Sequence, residues 1–216
     1  VAPVIVGNAV IAGIATDVKV QGDYAYVAAG ELGLAVIDVS VPAAPVIVFV
    51  ADTAGFAQDI DFQDDYIIVA DGVAGIEIFN IFDPSNLISI AKNDDVTGIK
   101  GVSVENGFMV AVSEYALTLF DISDIESPIR ISSLILDNLK DVVLDNGYIY
   151  AAAFSSGWHV YRITESLTLE RIGGDAQFIP RDVAIVDGLV FYAEQLFPNV
   201  VAYVNNKDPD SPRFQN

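Results

Sequence analysis

A segment of about 41 residues recurs along this chain, and the period restricts the possible fold more than any other feature of the sequence. Each copy opens with a short polar stretch that usually contains an acid and is followed by an apolar residue. The equivalent positions are residues 17, 59, 101, 141 and 182, which lie 42, 42, 40 and 41 residues apart. Five copies at a nearly constant spacing predict an array of similar structural units.

Each copy has the internal pattern of four short β-strands. In the first copy, Asp17–Val20 alternates between polar and apolar residues and leads through Gly22 into the apolar segment Tyr24–Ala28. Two more strand-like segments follow, Leu34–Asp38 and Val46–Val50. Four antiparallel strands in about 41 residues are typical of a β-propeller blade, and no apolar residues recur at helical spacing. We therefore predict an all-β, five-bladed propeller with almost no helix.

The two ends of the chain indicate how such a ring would close. Ala2–Val6 has the same sequence as Ala44–Val48, which we assign to a fourth strand. We therefore expect residues 3–7 to supply the fourth strand of the last blade, because closure removes exposed sheet edges. On this interpretation residues 1–216 form a single propeller domain. Its blades are expected near residues 15–50, 57–91, 99–134, 139–172, and 180–212 together with 3–7.

The composition limits the classes of partner. Asp and Glu number 30 against 10 Lys and Arg, which gives a net charge of −20, while 53% of the residues are hydrophobic. The apolar fraction is too high for a disordered acidic tail. The negative charge argues against nucleic acid and anionic membranes as partners. The absence of cysteine excludes disulfides, thiol nucleophiles and Cys-ligated metals.

The first repeat resembles a known family. Its residues Gly22–Ala28, Gly33–Ser40 and Pro42–Pro45 are similar to the LVIVD repeat, a blade-forming motif of secreted or cell-surface proteins of bacteria and archaea. The likeness is strongest in this copy, good in the second, and weaker from the fourth onward. The resemblance implies an extracellular or cell-surface location. It carries no general catalytic signature, so it implies a binding or display role.

An acid recurs at the start of the first strand of four repeats. These residues are Asp17, Asp59, Asp141 and Asp182. A ring of carboxylates could bind a hard cation such as Ca²⁺, or supply the two carboxyl groups of a glycosidase. An acid repeated in this way more often makes the same backbone hydrogen bond in each unit, and we favour that interpretation. No cofactor is expected other than this possible Ca²⁺.

The loops that are expected at one end of the blades differ between repeats, which indicates a role beyond the fold. Aromatic and acidic residues in these loops suit a protein partner or a glycan. The candidate binding residues are Tyr115, Phe154, Phe178, Glu194 and Phe197. An ordinary capping cluster over the core is an equally good explanation of the aromatic residues.

The chain contains one histidine, His159, which excludes a histidine-rich metal site. Serine hydrolysis would need His159 as its base, and the Gly-x-Ser-x-Gly pattern is absent. We expect His159 to be an ordinary residue of a third strand. The sequence therefore favours a non-enzymatic, extracellular module that binds a protein partner or self-assembles. A glycan-binding propeller is the alternative, and a carboxylate-dependent glycosidase ranks below it.

Overall fold

The computed structural model describes residues 2–176, 179–186, 189–194, 201–205 and 214–215. Within these ranges all regular secondary structure is β-strand, and the strands form four-stranded antiparallel sheets that follow the repeats. The all-β prediction is therefore confirmed. No helix in the described part of the chain is long and apolar enough to cross a membrane.

The chain divides into two compact units, residues 1–98 and 99–216. The first unit contains sheets 1 and 2. Sheet 1 consists of β1 (Asp17–Gln21), β2 (Tyr24–Ala28), β3 (Leu34–Asp38) and β4 (Val46–Ala51). Sheet 2 consists of β5 (Asp59–Gln63), β6 (Tyr66–Ala70), β7 (Ile76–Asn80) and β8 (Ile88–Asn93).

The second unit contains three sheets of the same kind. Sheet 3 consists of β9 (Ile99–Glu105), β10 (Phe108–Ser113), β11 (Ala116–Asp121) and β12 (Ile129–Ile135). Sheet 4 consists of β13 (Leu139–Asp145), β14 (Tyr148–Ala153), β15 (Gly157–Ile163) and β16 (Leu169–Asp175). Sheet 5 consists of β17 (Pro180–Val186), β18 (Leu189–Glu194), β19 (Val201–Asn205) and the two-residue β20 (Phe214–Gln215).

Every sheet is a simple meander in which each strand pairs with the next strand in the chain. The turns from first to second strand contain the residues that a tight hairpin needs: Asn106 and Gly107 have φ values of 50° and 79°, and Asn146 and Gly147 have 52° and 77°. Sheets 1 to 4 also share a register shift between their third and fourth strands. These recurring features show that the same turns and the same strand pairing are used again along the chain.

The core of each unit lies between successive sheets. In the first unit, Tyr26 and Val36 of sheet 1 pack with Ile67 and Phe79 of sheet 2. In the second unit, one cluster joins sheets 3 and 4, and another joins sheets 4 and 5 through residues such as Trp158 and Tyr192, whose rings lie 5.7 Å apart. The second strands are buried on both faces, as their uniformly apolar sequences predict. The fourth strands of sheets 1 to 4 consist almost entirely of exposed and half-buried residues.

The prediction that residues 3–7 form a fourth strand is wrong. Residues 3–7 form no strand, and Val4 and Ile5 are 77% and 89% exposed. The fourth position of sheet 5 is occupied by β20, which pairs with β19. Further along the N-terminal segment, Ala9 and Ile11 pack against the face of sheet 1 that points away from sheet 2. A segment without a hydrogen-bonding neighbour cannot be a β-strand, whatever its sequence.

Candidate functional site

The carboxylates at the starts of the first strands bond to backbone. Asp17 Oδ2 accepts a hydrogen bond from the Ile60 amide at 3.3 Å, and Asp141 Oδ2 accepts one from the Val183 amide at 2.9 Å. Each bond ties the first strand of one sheet to the first strand of the next sheet in the same unit. This is the backbone role that the sequence analysis favoured for the recurring acids.

The other two recurring acids also lie at first strands. Asp59 begins β5, and the exposed Asp182 lies near the start of β17. No group of three or more His, Asp or Glu residues in the described part of the chain is arranged to hold a metal ion. The Ca²⁺ site therefore stays a prediction from the sequence, and two of its predicted ligands, Asp17 and Asp141, accept backbone hydrogen bonds.

Three cations occupy one equivalent position in successive sheets of the second unit, just before Gly101, Asp141 and Asp182. They are Lys100, Lys140 and Arg181, which we call the basic cluster. Lys140 Nζ lies 5.9 Å from the centroid of the Phe154 ring, and Arg181 Cζ lies 5.2 Å from it. Both distances are in the range of cation–π attraction. Phe154, which follows β14, therefore contacts side chains from the first strands of two different sheets, β13 and β17.

Lys100 extends the basic cluster towards the turn between β10 and β11. Its ammonium group forms an ion pair with Glu114. Burial, together with the neighbouring Lys140 ammonium group, lowers the pKa of Lys100. A like charge disfavours the protonated form, so this shift indicates that Lys100 and Lys140 are close enough to repel each other.

The predicted binding residues lie in different environments. Tyr115, at the β10–β11 turn, is 67% exposed, and its backbone oxygen accepts a hydrogen bond from the Leu136 amide at 3.0 Å. Phe154 is partly buried against the basic cluster. Glu194 ends β18. Phe178 and Phe197 lie outside the described residues.

Three hydrogen bonds of Asn138 connect the loops that carry these groups. The Asn138 amide donates to the Glu114 carbonyl oxygen at 2.7 Å, and the Phe154 amide donates to the Asn138 carbonyl oxygen at 2.9 Å. The Asn138 side chain also donates to Ser155 Oγ at 3.0 Å. Asn138 therefore connects the Glu114 turn to the loop that carries Phe154, and it adopts a left-handed φ of 60° to do so.

His159 lies in β15, as predicted, and is buried. Its Nε2 lies 3.1 Å from Ser156 Oγ, a contact that the sequence analysis did not anticipate. Burial and the neighbouring Arg171 guanidinium lower the pKa of His159 to about 4. Its Nδ1 has no hydrogen-bond partner among the described residues, so no carboxylate orients the ring there. A neutral imidazole of such low basicity is a weak general base near pH 7.

A buried acidic group in the first unit also escaped the sequence analysis. Asp71 accepts hydrogen bonds from Thr53 Oγ1 at 2.7 Å and from the Gly55 amide at 2.8 Å. Burial raises the pKa of Asp71 despite these two bonds. Because both bonds fasten a loop, the arrangement explains Asp71 as a structural residue.

Glu77 is the second buried acid of sheet 2. It accepts a hydrogen bond from Ser89 at 2.6 Å and pairs with Lys92 at 3.0 Å. An acid between two isoleucines of a strand, with a lysine on the next strand, is the signal that could have identified this pair. A cleft of about 550 Å³ lies elsewhere in the first unit and is lined by Gly13, Glu31, Leu32 and Phe56 among others. It contains none of the predicted site residues.

Solved structures with similar folds have very different sequences. A functionally unknown protein from Desulfotomaculum acetoxidans is 13% identical, with a TM-score of 0.74 over 95% of this chain and 70% of its own. A protein from Lactobacillus plantarum is 12% identical, with a TM-score of 0.77 over 90% of this chain and 67% of its own. The computationally designed Ika8 protein is 9% identical, with a TM-score of 0.69 over 93% of this chain. This chain covers only 61% of the length of Ika8. At these identities the likeness shows the fold alone.

Comparison of the sequence itself identifies the repeats. No curated protein matches this chain. The profile of the LVIVD repeat matches residues 12–53 and 54–94, which contain sheets 1 and 2. These are the two copies in which the sequence resemblance is strongest. The recognition made from the sequence is thus confirmed, and residues 12–94 of this chain consist of two LVIVD repeats.

Proposed function

We propose that this chain is a non-enzymatic module that binds a protein partner outside the cell or at its surface. The observation that carries the proposal is the group formed by Tyr115, the basic cluster and Phe154 at the loops of the second unit. Tyr and Arg are enriched in the cores of protein interfaces. Tyr115 is exposed on the turn whose Glu114 pairs with Lys100, and such a turn is suited to contact with a partner. The extracellular location is supported by the LVIVD repeats.

The known chemistry of hydrolases offers less support for catalysis. A glycosidase needs two carboxyl groups that reach the sugar, whereas Asp17 and Asp141 accept backbone hydrogen bonds. A serine hydrolase needs a base of suitable pKa, whereas the pKa of His159 is about 4. Binding is therefore the function that these geometries support best.

The proposed architecture of the module is a closed, five-bladed β-propeller formed by the five sheets, without participation of the N-terminal segment. The repeated offset of the first-strand bonds supports it, since Asp17 reaches a residue 43 positions later and Asp141 one 42 positions later. A compact domain of this length has a radius of gyration of about 17 Å. Small-angle X-ray scattering that gave a clearly larger radius would contradict the closed ring.

One measurement distinguishes a module that self-assembles from a module that binds another protein. Size-exclusion chromatography with light scattering, over a range of concentrations with and without Ca²⁺, reports self-association directly. A wild-type oligomer that becomes monomeric on Tyr115→Ala supports assembly through the loops of the second unit. Monomers under every condition leave a different protein as the partner, to be captured with the wild type and lost with Tyr115→Ala. Failure of both results would overturn the proposed function.

A glycan is the second candidate ligand, favoured by the polar pair Asn138 and Ser155 next to Phe154. Amide and hydroxyl groups beside an aromatic ring are the groups that bind sugars. A glycan array with the wild type and Phe154→Ala tests it. Binding that disappears in the variant would replace the protein partner by a glycan.

A further inference from the structure

The basic cluster brings three positive charges together on a protein that is strongly negative overall. We propose that Lys100, Lys140 and Arg181 form the docking site for an acidic peptide segment of the partner. This inference rests on the proposed function, since it names the chemistry of the partner at the same loops. It adds which charged residues of this chain make the contact and which side chains of the peptide they bind.

The fold does not require cations at these positions. The equivalent residues of sheets 1 and 2 are Thr16 and Gln58, and those sheets have the same strand order. Thr16 Oγ1 donates to the Ala57 carbonyl oxygen at 2.9 Å, which is an ordinary structural role. The cations of the second unit are therefore not needed for formation of the sheet.

The three charges are only partly balanced in the free protein, where Lys100 forms an ion pair with Glu114. The chain has only 10 Lys and Arg residues, and three of them are in the basic cluster. The Lys140 ammonium group contributes to the lowered pKa of Lys100, which reports their mutual repulsion. Among the described residues, no carboxylate forms an ion pair with Lys140. A bound anion would relieve this repulsion.

The chemistry of the basic cluster selects carboxylates on a short, flexible ligand. Ammonium and guanidinium groups are donors only, and they form their strongest hydrogen bonds with ionised oxygen acceptors. Phe154 orients Lys140 and Arg181, so less conformational freedom is lost when they bind. Nucleic acids and anionic membranes would bring extended negative charge against a surface with a net charge of −20. A peptide with a few Asp or Glu side chains brings carboxylates to the basic cluster alone, and the exposed Tyr115 offers it apolar contact.

The test is fluorescence anisotropy with a labelled peptide of alternating Glu and Gly, in the full chain. We expect Lys140→Met and Arg181→Met each to weaken binding at least fivefold. Methionine keeps an apolar chain over Phe154 and removes only the charge. The matched control is Arg130→Met, which changes the net charge by the same amount at an exposed position of β12 in the same unit. It should weaken binding less than twofold.

The possible results separate the inference from the proposed function. Equal weakening by Arg181→Met and Arg130→Met would mean that overall charge alone acts, and would overturn the docking site. Binding of an oligogalacturonate but not of the peptide would overturn it as well, in favour of an acidic sugar. Partner binding that depends on Tyr115 but is unchanged in Lys140→Met and Arg181→Met would keep the proposed function and reject the docking site. Thermal unfolding of each variant checks that the fold is retained.

Discussion

Sheets 1 and 2 have the same strand order and the same register shift, yet they bury different chemistry at one equivalent position. In sheet 1, Ala35 of β3 lies opposite Val50 of β4. In sheet 2 the corresponding pair is Glu77 and Lys92, which form an ion pair. Ala35 and Glu77 are both buried. One backbone therefore accepts either an apolar or an ionic pair, provided that the two strands change together.

The second unit extends this comparison. In sheet 3 the position pairs Thr118 with Ser133, whose hydroxyl oxygens lie 3.1 Å apart. In sheet 4 it pairs His159 with Gly174. Each buried side chain has an outer-strand partner matched to it in size or polarity. The comparison teaches that sheets 1 to 4 share their strand order and register, while the side chains of this central pair vary.

The largest effect on stability is expected at a structural feature that sheets 1 and 2 share. Gly33 has a φ of +82°, and an added Cβ would lie 2.2 Å from the Ala51 carbonyl oxygen. Gly33→Ala should therefore lower the free energy of unfolding by about 4 kcal/mol, from backbone strain together with the clash. Gly22→Ala is the control, because Gly22 also has a positive φ but an added Cβ meets nothing. It should cost about 1 kcal/mol. Equal losses in urea unfolding would mean that the close approach to β4 is unimportant.

The next effect concerns the pH dependence of sheet 4. The pKa of His159 is about 4 in the folded protein, against 6.5 for an ordinary histidine. The unfolded chain therefore takes up a proton first as the pH falls below 6.5, so the contribution of His159 is present above that pH and is lost towards pH 4. The loss amounts to about 3 kcal/mol. The variant His159→Thr, which carries the residue of sheet 3, should lose less stability than the wild type between pH 7 and pH 4. Parallel pH curves would contradict the buried neutral imidazole.

A smaller effect is expected on breaking the ionic pair of sheet 2. Lys92→Val leaves the buried carboxylate of Glu77 without its cation and should cost about 2 kcal/mol, less than for a fully buried pair because Lys92 is largely exposed. Adding Glu77→Ala converts the pair to that of sheet 1 and should restore most of the loss. The measurement is a double-mutant cycle by denaturant unfolding. A double variant that is less stable than Lys92→Val would show that the ionic pair has a role that the apolar pair cannot replace.

The smallest effect is expected in sheet 3. Thr118→Val keeps the shape of the buried side chain and removes its hydroxyl group, while the exposed Ser133 can bond to water instead. The loss should be about 1 kcal/mol by urea unfolding. A loss as large as that of Lys92→Val would mean that the hydroxyl pair is not the mildest of the polar pairs.

Much of the fold followed from local sequence, and much of the candidate site did not. The strands and hairpins were predictable because alternation and Asn-Gly turns act within a few residues. The position of His159 in a third strand was predictable for the same reason. The pairing of Glu77 with Lys92 was not predicted, because it depends on how two strands are placed side by side. The role of Asp141 was predictable as a type of bond, although its partner Val183 is 42 residues away.

The sequence by itself determined the period, the strand order and the turns of this protein, since these depend on backbone preferences that each repeat carries within itself. The tertiary structure decided which distant side chains meet, as when Lys140 and Arg181, on different sheets, both reach Phe154. It also decided that Ala2–Val6 and Ala44–Val48 differ in structure despite an identical sequence. Val46–Val48 are strand residues because β3 supplies hydrogen bonds to β4. A β-strand exists only with its neighbour, and no sequence carries that neighbour within itself.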